Sequence, residues 1–117
     1  MWSVSRERFE ELVGQALDAL PAWVHEQLDN IVVTVEDRPP ADQPRLLGLY
    51  HGVPLSRRGI HYSNALPDTV TLYRSTIEAS SGPDEAALTR VIAHTVAHEI
   101  AHHFGISDER LLEIDAY

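Results

Sequence analysis

Four of the seven histidines in this chain crowd between positions 94 and 103, and two of them bracket Glu99 in the pattern His98-Glu99-Ile100-Ala101-His102. On a helix, a spacing of four puts both imidazoles on one face with Cβ atoms about 6 Å apart. Two imidazoles so placed reach one zinc ion at about 2.0–2.1 Å. Glu99 stands beside the first of them, within reach of a water on the ion. Zinc lowers that water's pKa toward about 7, so a carboxylate is a sufficient base. A catalytic zinc takes a third protein ligand and keeps its fourth position open. Gly105, three residues past His102, suits the left-handed conformation that ends a helix and reverses the chain. Asp108, three residues further, is where that reversal returns a side chain to the ion. The string His98-Glu99-x-x-His102-x-x-Gly105-x-x-Asp108 therefore predicts zinc held by His98, His102 and Asp108, with Glu99 as catalytic base.

The neighbours weigh less. His94 and His102 are eight residues apart, about 12 Å along a helix axis, so His94 reads as a companion rather than a ligand. His103 lies about 100° around from His102, and a place near the negative end of the helix dipole accounts for it. Asp108 has its own plain reading, as an acid in the first turn of a last helix, and Glu109 and Glu113 are alternatives to it. Tyr50, His51, His61, Tyr62, Arg74 and Tyr117 each have the chemistry to polarise a carbonyl, and the sequence singles out none of them.

The elements that position these groups follow from periodicity. Phe9, Leu12, Val13, Ala16, Leu17 and Leu20 recur at helical spacing and predict an amphipathic helix over about residues 4–20, capped by Ser3 or Ser5. Pro21 ends it and opens a short second helix through Leu28. The β-branched run 31–35 reads as a strand, the proline-rich stretch 36–44 as a loop, and 46–51 as a second strand. Residues 69–74 read as a third strand, and the sequence alone does not show whether it is an edge along which a peptide would lie antiparallel; 75–82 carry no element in this reading. Pro83 suits the first position of a long helix that meets no breaker before Gly105. Leu88, Val91, Ile92, Thr95, Val96 and Ile100 cover more than half of its circumference, so it should be largely buried. Ser107 can cap a last helix carrying Leu111, Leu112 and Ile114. The order α, α, β, β, β, α, α predicts an α+β domain with a small three-stranded sheet.

Composition sets the outer limits. With 117 residues, 44% of them hydrophobic, the chain has room for one domain spanning 1–117 and a small core. Cysteine is absent, so thiolate metal sites and disulfides are excluded. No apolar run reaches the length of a membrane span. The start of the chain turns acidic and amphipathic where a signal peptide needs an apolar stretch, so the expected location is cytoplasmic. Every one of the nine bases is arginine, and against 18 acids they leave a formal charge of -9. Such a chain repels phosphate backbones, which disfavours nucleic acid as a partner.

The segment HTVAHEIAHHFGISDERL resembles the active-site segment of small bacterial zincin-like metallopeptidases, a family formerly described as a domain of unknown function. The likeness continues through FEELVGQALDALP, VVTVEDRP, LLGLYHGVPL with the following RRG, and LPDTVTLYRSTIE. It implies a minimal zincin fold with His98 and His102 as ligands and Glu99 as catalytic base. The extended motif is also similar to that of metzincins, whose third ligand is usually His and sometimes Asp. Only nine residues follow Asp108 and the sole methionine is Met1, so there is no Met-turn beneath the metal. The expected activity is zinc-dependent hydrolysis of a peptide or protein substrate. One alternative is a zinc-stabilised binding module without turnover. Another is a metal-dependent endoribonuclease, against which Glu99, Asp108 in place of a histidine, and the negative charge all count.

Overall fold

The computed structural model describes residues 2–28, 30–52 and 67–105. Helix α1 (Arg6–Asp18) starts at Ser5, whose Oγ accepts a hydrogen bond from the Arg8 amide at 3.1 Å, and it buries Phe9, Leu12 and Val13. Helix α2 (Ala22–Gln27) begins directly after Pro21. Strands β1 (Ile31–Glu36), β2 (Gly48–His51) and β3 (Asp68–Tyr73) form one sheet. A short helix α3 (Arg74–Ser81) and the long α4 (Glu85–His103) complete the described elements. The architecture is α+β with a small three-stranded sheet.

The strand order is β1-β3-β2, with β1 parallel and β2 antiparallel to β3. The order answers the question of the edge that the sequence leaves open. Among the described strands β3 is central, with Val70 and Leu72 fully buried, and β2 forms a margin. Successive side chains of a strand alternate between faces, and residues opposite each other in an antiparallel pair share a face. Gly48 pairs with Leu72 and Tyr50 with Val70, so Gly48 and Tyr50 lie on the core face with those two residues. Asp68 lies on that face as well, two residues before Val70.

Two boundaries differ from the sequence reading. Asp84, not Pro83, opens α4; its carboxylate accepts from the Ala86 amide at 2.9 Å, and Pro83 precedes the cap. The second strand starts at Gly48 rather than 46, although the Leu47 carbonyl still accepts from the Tyr73 amide at 2.9 Å. Helix α3 was not expected at all. Its eight residues include Thr76, Ile77 and three serines, none a strong helix former, and only Ile77 is buried. Tertiary bonds hold it instead: the Ser75 amide donates to the Asp37 carbonyl, and the Thr76 hydroxyl donates to the Leu46 carbonyl at 2.6 Å. Gly82, at φ 79°, ends it in a conformation that suits glycine.

α4 packs on α1, α3, β2 and β3. Phe9, Leu88, Ile92 and Val96 are fully buried where these elements meet. Arg8 joins the starts of α1 and α4 by pairing with Glu85 at 2.6 Å, and this bond holds the Glu85 carboxyl below its ordinary pKa. No described helix is long and apolar enough to cross a membrane. The last helix expected after Ser107 lies outside the described residues.

Candidate functional site

The second half of α4 carries polar side chains on its buried stripe. Thr95, Glu99 and His103 recur every four residues and are all buried. The Thr95 hydroxyl is satisfied within the helix, donating to the Val91 carbonyl at 2.8 Å. Glu99, 6% exposed, lies between the two flanking imidazoles: Oε1 is 3.3 Å from His102 Nδ1 and Oε2 is 4.0 Å from His98 Nε2. Ring centroids of His98 and His102 are 4.8 Å apart. One ligand atom from each of His98, Glu99 and His102 falls within 4.8 Å of the others. A tetrahedral zinc with two Zn–N bonds of 2.0–2.1 Å needs nitrogens about 3.3 Å apart. The imidazole and carboxylate donors suit zinc. The donor set fits the ion that the spacing implied.

Both histidines open onto a cleft of about 430 Å³ walled by α4 on one side and by residues 45–50 on the other. The approach of the two walls depends on Gly48. A Cβ there would lie 3.0 Å from Thr95 Cγ2, 3.1 Å from the Thr71 carbonyl oxygen and 3.2 Å from Glu99 Cγ. Glycine is thus the residue that lets the margin strand pass directly over the carboxylate.

The profile of the zincin-like metallopeptidases matches residues 28–117, from the end of α2 onward. The chain belongs to that family. A comparison with curated proteins finds no significant match. Membership implies a metal, usually zinc, and the His98–Glu99–His102 group on the cleft wall is where the described residues of this zincin-like chain can hold one.

The structure brings His98, Glu99 and His102 together, whereas Asp108, Glu109 and Glu113 lie outside the described residues. His94 borders the cleft one turn before His98, with ring centroids 6.3 Å apart. Of the candidates for polarising a carbonyl, Tyr50 lines the cleft. Arg74 is taken up elsewhere, bonded to Asp37 at 3.0 Å and to the Val4 carbonyl at 2.8 Å. His51 points away from the core face, and His61, Tyr62 and Tyr117 are outside the described residues.

His103 is the main surprise. Far from being an exposed partner of the helix dipole, it is fully buried, and its Nδ1 lies 2.8 Å from Asp68 Oδ2. The same oxygen accepts from the Tyr50 hydroxyl at 2.6 Å. A carboxylate oxygen can only accept, so the imidazole carries its proton on Nδ1. Its Nε2 is buried and has no hydrogen-bond partner among the described residues. Gly52 covers the other side of the carboxylate, where a Cβ would meet Asp68 Oδ1 at 2.4 Å. Asp68 therefore joins β3, the margin strand and the residue next to His102. The sequence did hold a signal for His103. It lies four residues after Glu99 and seven after Val96, on the buried stripe. Tyr73, at the other end of β3, is buried too; burial first, then the charges of Glu36 and Glu99, push its phenol pKa up.

Proposed function

We propose that this chain is a zinc-dependent peptidase in which His98, His102 and Asp108 hold the ion and Glu99 is the general base. The observation that carries this reading is the position of Glu99, buried between two imidazoles and facing a cleft beside a margin strand. Zinc supplies a Lewis acid that polarises a carbonyl and acidifies water. The chain's own groups do the rest. His98 and His102 are fixed on one helix face, so their donors need no large rearrangement to bind. Glu99 takes the proton of the attacking water on its carboxylate and passes it to the leaving nitrogen. The backbone of β2 offers an extended peptide a partner at the sheet margin, which sets the scissile carbonyl against α4.

The test pairs metal content with turnover. Protein purified without added zinc should contain one equivalent, lost in His98→Ala. Glu99→Gln should keep the zinc and cleave peptides about 10²–10⁴-fold more slowly. A zinc-loaded Glu99→Gln variant as fast as the parent would overturn the mechanism.

A further inference from the structure

The direction of the cleft can be read from its walls. Gly48 lies against Thr95 and Glu99, whereas the Tyr50 ring is 5.8 Å from that of His103. Moving from 48 to 50 therefore follows α4 toward its C-terminus, and Arg45, which precedes Gly48 on the same cleft wall, lies on the side of Gly48 opposite Tyr50. Charge is distributed unevenly around this space. Among the described arginines, Arg6, Arg8 and Arg74 are each engaged by carboxylates, Arg38, Arg45 and Arg90 are not, and of these three Arg45 alone lines the cleft. Arg45 is exposed on the cleft and makes no hydrogen bond or ion pair with any described residue. Glu99 is the only acid among the described cleft-lining residues, although acids outnumber bases twofold in the chain. A guanidinium that pairs with no described carboxylate, on a cleft whose described lining holds one acid, is available to take one from a ligand.

From this we infer that Arg45 selects substrates bearing a carboxylate on the C-terminal side of the scissile bond, an inference that rests on the peptidase reading. Antiparallel pairing is the more stable way to extend a sheet margin. A peptide paired so with β2 runs against α4, entering near Tyr50 and leaving near Arg45. Arg45 precedes Gly48 by three residues across a turn and a bend, so it lies within about 10 Å of it, the extended-chain limit at about 3.3 Å per residue. The guanidinium thus meets the second or third residue after the cleaved bond. Two sources present a carboxylate there: an Asp or Glu side chain, or the free C-terminus of a short peptide.

Matched fluorogenic peptides separate these sources. One pair differs by Asp or Asn at the second and third positions after the scissile bond, and the other by a free or amidated C-terminus. The readout is the ratio of kcat/KM, carboxylate over amide, for zinc-loaded parent, Arg45→Ala and Arg45→Lys. The parent should favour the carboxylate by about 10-fold to 100-fold in one pair, which identifies the source. The ratio should fall to near one in Arg45→Ala and recover in part in Arg45→Lys, which restores the charge without the planar fork. Equal ratios in parent and Arg45→Ala overturn the inference. The same peptides titrated by fluorescence anisotropy against zinc-loaded Glu99→Gln report binding without turnover. Arg45-dependent binding of carboxylate peptides by a chain that cleaves none of them would sink the peptidase reading and keep the carboxylate site. Cleavage of both members of each pair at equal rates would do the reverse.

Discussion

The two halves of α4 are built on opposite terms. In its first half the buried positions, Leu88 and Ile92, are apolar and pack against α1 and the sheet with no hydrogen bonds to arrange. In its second half Thr95, Glu99 and His103 occupy buried positions where a leucine would add stability. Each is compensated by a specific neighbour: a helix carbonyl for Thr95, two imidazoles for Glu99, and Asp68 for His103. Polar groups on a core-facing stripe mark the place where stability yields to chemistry. The contrast also predicts that substitutions in the first half move stability alone, and those in the second move stability and the site together.

The sharpest separation should come from Ile92→Ala, which leaves a cavity costing about 2–5 kcal/mol by denaturant unfolding. Zinc content and the carboxylate preference of the folded protein should stay as in the parent; loss of either would erase the distinction between halves. Asp68→Ala should follow, at about 2–4 kcal/mol, because it removes the acceptor shared by the Tyr50 hydroxyl and the buried His103 N–H. Zinc affinity should fall with it by about tenfold, with Asp68→Asn recovering part of both. Gly48→Ala should cost about 1–3 kcal/mol through overpacking against Thr71 and Thr95. Its effect on kcat/KM, about three- to tenfold, should exceed its effect on zinc affinity, since the new methyl pushes on Glu99 rather than on a histidine. The smallest change concerns Tyr73. Its phenol pKa is raised by burial, so above about pH 10 the unfolded chain loses that proton first, and stability falls as pH rises toward the folded value. Tyr73→Phe should flatten that alkaline slope in thermal melts.

What the sequence disclosed was what lies close together along it. His98, Glu99 and His102 sit within two turns of one helix, so spacing alone brings them together, and helical periodicity gave α1 and α4 to within about two residues. The relations it withheld span distance. Tyr50, Asp68 and His103 meet across separations of 18 and 35 residues, and no local pattern records that meeting. The order β1-β3-β2 is likewise a property of tertiary pairing, since 69–74 alternates as either an edge or a central strand would. Helix α3 escaped because its stability lies in bonds to Asp37 and Leu46 rather than in its own composition. Asp108, for its part, lies outside the described residues.

The family profile matches from residue 28 onward, yet the floor of the core lies before it. Phe9 is completely shielded from solvent and Leu12 nearly so, and α1 closes over α4 with Arg8 tying the two helix starts together. A truncated chain beginning at residue 28 would keep every histidine of the motif while baring the apolar flank of the helix that displays them. The matched segment and the packed core therefore have different boundaries, and a helix outside the match buries one flank of the helix that carries the motif.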